Sequence, residues 1–213
     1  MNLSVSMISD VICPWCFIGK RRLEKALAVL DGSHEVRVRW LPFQLNPQMP
    51  QEGISRREYR TKKFGSWERS QELDAQVAAA GEGEGIHFAF DRIERTPNTL
   101  DAHRLIWLAD NEGIQDAVVE GLFRAYFTDG RDINDRQTVL DVVAEAGLDR
   151  SKAKAVLESA GGQEAIREAD TLARRLRVEG VPFFVINGKI TLSGAQPPDV
   201  FLAAFRQALG RPQ

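Results

Sequence analysis

Leu3, Val5 and Met7 alternate with Ser4 and Ser6, the period-two pattern of a half-buried strand. The period then changes: Leu23, Ala26, Leu27 and Leu30 fall at i, i+3, i+4 and i+7, which predicts an amphipathic helix stopping near Asp31-Gly32. Val36, Val38 and Trp40 alternate with Arg37 and Arg39, so a second strand follows, and the order strand, helix, strand predicts a parallel βαβ unit. Pro42, Pro47 and Pro50 punctuate the chain, and the next hundred or so residues show helical periodicity with almost no strand signal. Helices are predicted over Ser55 to Lys63, Ser66 to Ala80, Asn98 to Asn111, Gln115 to Phe127, Asp135 to Ala146 and Ser151 to Ser159, with Gly81 to Gly85 as a flexible break. A helix over Ala165 to Val178 leads to the apolar run Phe183 to Ile186, the hairpin signal Asn187-Gly188 and the strand Lys189 to Leu192. The last helix opens on Pro198 and buries Phe201, Ala204, Phe205 and Ala208.

These elements predict an α/β fold in which residues 1–50 and 165–213 form one discontinuous domain and residues 51–164 a helical insertion. A chain of 213 residues with 43% hydrophobic composition can bury a core without disulfide staples. The 28 Lys and Arg nearly balance the 30 Asp and Glu, so no overall field favours nucleic acid or an anionic membrane. No apolar run approaches the roughly 20 residues that span a bilayer, and the N-terminus lacks the basic and apolar regions of a secretory signal. A cytoplasmic location is therefore expected.

The candidate chemistry lies in Cys13-Pro14-Trp15-Cys16, which holds both cysteines of the chain. A lone CxxC between a strand and an amphipathic helix reads as a redox pair. Cys13 should sit at the helix start, where unpaired N–H groups and the macrodipole stabilise a thiolate. Pro14 suits the first helical position, and Cys16, one turn on, lies within bridging reach. Cys13 is then the attacking thiolate and Cys16 the resolving thiol, with a redox-active Cys13-Cys16 disulfide and no bound cofactor. Zinc is disfavoured, because His34, His87 and His103 are too scattered to complete a ligand set with this CxxC, and two inert buried thiols fit the helix-start setting poorly. Trp15 offers either an apolar platform for substrate or a packing residue. Without a His between the cysteines, the potential is expected between about −270 and −120 mV. Asp10 could carry the Cys16 proton or cap a turn; Asn98 and His103 are candidates for proton transfer or site support, against the plainer readings that Asn98 caps its helix and His103 makes a structural hydrogen bond. The cluster Arg56, Arg57, Arg60, Lys62 and Lys63 reads as a solvated helix face.

Ser9-Asp10-Val11-Ile12-Cys13-Pro14-Trp15-Cys16-Phe17-Ile18-Gly19 resembles the active-site block of the FrnE-like branch of the DsbA family. Phe43 to Pro47, Asn98 to Arg104, Gly130 to Ile133, Gly180 to Phe184 and Ser193 to Gln196 resemble it too, so the likeness runs nearly end to end. It implies a thioredoxin-like fold interrupted by an all-helical insertion, acting on protein or small-molecule thiols and disulfides. It further implies that Pro182 is cis and faces the cysteines, that the Val181 backbone binds an extended substrate, and that the helix bearing Asn98 and His103 packs over the site. The related 2-hydroxychromene-2-carboxylate isomerases and kappa-class glutathione transferases carry Ser in place of Cys13. Their glutathione-binding Ser-Asp pair appears here as Ala195-Gln196, which weakens glutathione as a cosubstrate without removing it. A glutathione-dependent isomerase or transferase acting on a small aromatic or polyketide-like substrate is the rival reading; a non-catalytic redox sensor is a third.

Overall fold

The structure is a computed structural model that describes residues 2–30 and 35–210; the expected helix stop at Asp31-Gly32, and His34, lie outside the described residues. Strand β1 (Asn2–Ser9) runs into helix α1 (Pro14–Ala28) and returns as β2 (Glu35–Pro42), parallel to β1 with Val5 opposite Val38 and Met7 opposite Trp40. The next elements are β3 (Ile54–Ser55), α2 (Arg56–Phe64), α3 (Trp67–Glu82), β4 (Arg95–Thr96), α4 (Leu100–Asn111), α5 (Gln115–Phe127), α6 (Arg136–Glu145), α7 (Arg150–Glu158) and α8 (Gln163–Arg175). The chain closes with β5 (Phe183–Ile186), β6 (Ile190–Ser193) and α9 (Pro198–Ala208).

The main sheet has the order β2-β1-β5-β6, with β5 antiparallel to both neighbours. Its hairpin turns at Asn187 (φ 47°) and Gly188 (φ 68°), the paired positive φ values that an Asn-Gly turn supplies at least cost. The outer edge of β2 is met by a side chain. Gln115 accepts from the Trp40 N–H at 2.8 Å and donates to the Trp40 carbonyl at 3.0 Å, so its carboxamide stands where a further strand would pair.

Helix α1 belongs equally to the sheet and to the helices inserted between β2 and β5. Phe17 stacks on Phe123 of α5 with ring centroids 5.1 Å apart. Lys20, almost wholly buried, binds Glu24 of its own helix and reaches Asp116 at 3.1 Å and Glu120 at 3.2 Å on α5. Burial works against the Lys20 charge, but Asp116, Glu24 and Glu120 outweigh it and hold the ammonium pKa above its ordinary value. The other face of α1 packs against α9. No helix among the described residues is long and apolar enough to cross a membrane.

Several sequence expectations are corrected. The segment expected to lack strands contains the β3–β4 pair, two residues per strand and therefore too short to show a period. Helix α3 runs through Gly81, and the Gly-Glu stretch is anchored rather than a flexible break: Glu84 pairs with Arg22 and Lys25 of α1, each at 2.6 Å. A side chain at Gly81 would meet Phe88 at 2.4 Å, which explains the glycine by close approach. Helix α4 starts after Asn98 rather than on it. Helix α8 starts early, from Gly162 at φ 74°, and ends in a tight turn with Arg177 at φ 60°; Val178 is buried beyond it, so the apolar period outruns the helix.

The basic cluster is only in part a solvated face. Arg57, Lys62 and Lys63 are exposed, but Arg56 is buried and Arg60 half-buried, both held by Asp74 of α3 at 2.7 and 2.6 Å.

Candidate active site

Cys13 is the N-cap residue of α1, in extended conformation, and Pro14 takes the first helical position. No acidic residue sits in the first turn to oppose an anion there. The turn that delivers Cys13 is fixed by the Cys13 N–H donating to the Asp10 carbonyl at 3.0 Å, and the Cys16 N–H donates to the Cys13 carbonyl at 3.0 Å. Both sulfurs are free thiols. Cys13 Sγ donates to the Val181 carbonyl at 3.4 Å, across a chain separation that brings the first and last thirds of the sequence together. The Val181-Pro182 peptide bond is cis. The Pro182 carbonyl accepts from the Gly194 N–H at 2.8 Å, which ties this loop to the end of β6.

Pro182 can approach α1 this closely because Gly19 presents no side chain. A Cβ there would lie 3.0 Å from Pro182 Cγ and 3.2 Å from Phe184 Cζ. Gly19 is a position of close packing beside the candidate site that the reading of single residues missed; its place one turn after Cys16 was the available signal.

Cys16 is wholly buried, and burial, reinforced by the neighbouring Cys13, pushes its thiol pKa well above the ordinary value. Deprotonating it therefore needs a nearby acceptor. Asp10 is also wholly buried, its Oδ2 accepting from the Leu45 N–H at 2.8 Å and its Oδ1 lying 3.2 Å from Nε2 of His103 on α4. The structure thus brings Asp10 and His103 together behind the cysteines.

Asn98 is elsewhere. It accepts from the Leu100 N–H at 3.0 Å, donates to the Met49 carbonyl at 2.7 Å, and its backbone N–H donates to Asn134 Oδ1 at 2.9 Å. These contacts brace the entry to α4 and place Asn98 on the wall of a different cleft from the one at Cys13.

Beside Cys13 lies a cavity of about 430 Å³, with Pro14 and the exposed Trp15 at its margin. Arg56, Tyr59, Arg60, Lys63 and Phe64 all line it, spaced i, i+3, i+4, i+7 and i+8 along α2. That spacing is the signal that could have identified an inward face, had the charges not been assigned to solvent. Tyr126 closes the far wall; burial pushes its phenol pKa upward, and its hydroxyl donates to the Arg95 carbonyl at 3.1 Å. Ala195 and Gln196 make internal contacts, Ala195 accepting from Arg22 at 2.6 Å and Gln196 donating to the Ser193 carbonyl at 2.6 Å. Among the described residues, no three His, Cys, Asp or Glu side chains are grouped to hold a metal.

Known proteins are similar to this chain in sequence and fold. A Bacillus subtilis protein, uncharacterized YwbO, is 28% identical over 206 residues, covering 96% of each chain. The crystal structure of a probable DsbA oxidoreductase from Streptomyces coelicolor superposes with a TM-score of 0.89 at 34% identity, covering 99% of this chain and 92% of that one. The cytosolic disulfide reductase DsbM from Pseudomonas aeruginosa, also solved with GSH, shares the fold at a TM-score of 0.68 and 20% identity, covering 97% of this chain and 98% of that one. The sequence pattern of the DSBA-like thioredoxin domain matches residues 4–206, taking in the cysteine pair, the inserted helices and the Val181-Pro182 loop, and the chain belongs to that family.

Proposed function

We propose that the protein is a cytoplasmic thiol-disulfide oxidoreductase in which Cys13 attacks and Cys16 resolves. The observation that carries this reading is the asymmetry of the two sulfurs: Cys13 caps α1 against the Val181 carbonyl at 3.4 Å, while Cys16 is sealed one turn behind it. The Cys13 thiolate attacks a substrate disulfide to give a mixed disulfide, and Cys16 displaces the substrate to close the Cys13-Cys16 disulfide. Asp10, with His103 behind it, accepts the Cys16 proton in this second step. The backbone around Val181 and Pro182 aligns the substrate, with Pro14 and Trp15 forming the opposite lip. In this reading residues 1–50 and 165–213 form the thioredoxin unit, and residues 51–164 supply the cap that walls the cavity.

Cysteine variants test the roles. Cys16→Ser should accumulate mixed disulfides with thiol substrates and Cys13→Ser should form none; equal trapping by both would refute the assignment.

A second reading, a glutathione-dependent isomerase or transferase, is favoured by one observation, the apolar cavity of small-molecule size beside Cys13. Glutathione serves there as cosubstrate, as the GSH complex of DsbM suggests by analogy. Calorimetric binding of glutathione to Cys13→Ser, with isomerase turnover in place of disulfide exchange, would favour it.

A further inference from the structure

The cavity at Cys13 combines two properties that point to a chemical class of substrate. Its volume of about 430 Å³ is on the scale of a small-ligand site. Its walls are apolar where Ile12, Leu45, Phe90, Ile93 and Phe127 meet, and cationic along α2, where Arg56, Arg60 and Lys63 contribute; among the described residues no Asp or Glu side chain lines it. Asp74 lies behind this wall and binds both guanidiniums, at 2.7 Å to Arg56 and 2.6 Å to Arg60. One carboxylate thus offsets two of three cations only partly. Lys63 donates to the Tyr59 hydroxyl at 2.8 Å, a contact that is not an ion pair.

A wholly apolar guest would fill the floor but desolvate these cations without offering a counter-charge, which is costly. A guest with an apolar body and an anion at one end would satisfy both. We propose that the cavity seats one half of a small disulfide, a flat apolar or aromatic body bearing a carboxylate, with its sulfur at Cys13 and its anion at Lys63 and Arg60. This inference rests on the oxidoreductase reading and names its substrate class.

The chemistry balances within the site. Cys13 thiolate forms a bond to one substrate sulfur as the S–S bond breaks, releasing the first thiolate. Cys16, giving its proton to the Asp10–His103 pair, then bonds to Cys13 Sγ and releases the second thiolate. The dithiol loses two electrons and the substrate disulfide gains them. Two molecules of a low-molecular-weight thiol return the enzyme disulfide to the dithiol in the next cycle: the first forms a mixed disulfide with one cysteine, and the second displaces it and leaves as the oxidised thiol disulfide.

The test compares kcat/KM for dithiobis(nitrobenzoate), which is aromatic and anionic, with that for dithiodipyridine, which is aromatic and uncharged, in the wild type, Lys63→Glu and Lys62→Glu. Lys62 is the exposed neighbour on the same last turn, so its variant carries the same charge change and the same penalty at the helix C-terminus. The anionic-to-neutral ratio should fall by about tenfold or more in Lys63→Glu, the scale of one charge-assisted contact, and should stay near the wild-type value in Lys62→Glu. An unchanged ratio in Lys63→Glu, or an equal fall in both variants, overturns the proposal. So does an unfolded protein disulfide that outruns both small ones with the same dependence on Lys63, because a peptide is then the occupant.

Binding of S-methyl thionitrobenzoate, a thioether that cannot exchange, to Cys13→Ser by Trp fluorescence separates the two levels. Binding lost in Lys63→Glu, with no disulfide exchange in the wild type, would refute the oxidoreductase reading and leave the anion site standing; no binding together with normal exchange would refute the anion site alone.

Discussion

His103 Nε2 stands 3.2 Å from Asp10 Oδ1, both side chains enclosed by the core, so a histidine of the inserted helices completes the surroundings of a carboxylate in the loop before Cys13. A carboxylate and an imidazole in contact can share a proton taken from a neighbouring thiol, so the pair would be the acceptor in the resolving step proposed above.

Asp10→Asn keeps an oxygen for the Leu45 N–H but loses the basic site. Release of the second thiolate from a small disulfide should slow by about 10²-fold near neutral pH, while release of the first is nearly unchanged. The loss should shrink as pH rises and hydroxide deprotonates Cys16 directly. His103→Gln should slow the same phase by less. Stopped-flow release of the two thiolates, followed against pH, checks this, and equal slowing of both phases would show a structural defect instead.

Cys16 makes the reduced protein sensitive to alkali. Its folded pKa is raised by burial above the ordinary thiol value of 9.0. Its contribution to stability is therefore complete below that value and lost as pH climbs toward the folded pKa, because only the unfolded state releases the proton. The expected slope is about 1.4 kcal/mol per pH unit between the two values. Urea unfolding of the reduced protein on either side of about pH 9 should show this slope in the wild type and not in Cys16→Ser.

Gly19→Ala sets two effects against each other. Helix propensity gains up to about 1 kcal/mol, but the new methyl lies 3.0 Å from Pro182 and 3.2 Å from fully buried Phe184. Overpacking at about 1–3 kcal/mol wins, so stability should fall. Because Pro182 adjoins the carbonyl that Cys13 contacts, disulfide exchange should slow with it. Chemical denaturation and exchange rates on the same variant decide; a stabilised, fully active protein would show that Pro182 yields freely.

The knot between α1 and α5 gives an acid-side prediction. Burial raises the Glu120 pKa, but hydrogen bonding to Arg21, with the Lys20 charge, outweighs it and leaves the carboxyl below its ordinary value of 4.5. Its stabilisation is present above that value and disappears as pH falls through the depressed one. Glu120→Gln should flatten this part of the acid limb. Lys20→Met, which keeps the stem and removes the ammonium, should cost about 2 kcal/mol near neutral pH. Thermal unfolding across the acid range measures both.

Much of this architecture is legible in the chain because it is locally encoded. The alternation of Leu3, Val5 and Met7, the Asn187-Gly188 turn and the helix after Cys13 each depend on few neighbours. The cavity is different. Arg56 and Arg60 look like solvent-facing charges until Asp74, from another helix, is placed against them, and no local pattern specifies that partner. Asn98 misleads in the opposite direction: its position before a helix start draws attention, yet its polar groups are used up on Met49, Leu100 and Asn134. The β3–β4 pair is set by tertiary contact between two short segments, with too few residues to alternate.

The Gln115 side chain at Trp40 bears on how the protein behaves in a crowded solution. A bare outer strand invites a second molecule to extend the sheet, the first step toward aggregates. By occupying both the N–H and the carbonyl of Trp40, Gln115 removes the docking point for an incoming strand near the C-terminal end of that border. Its loss would show first as self-association on heating or during refolding, with little change in the chemistry at Cys13.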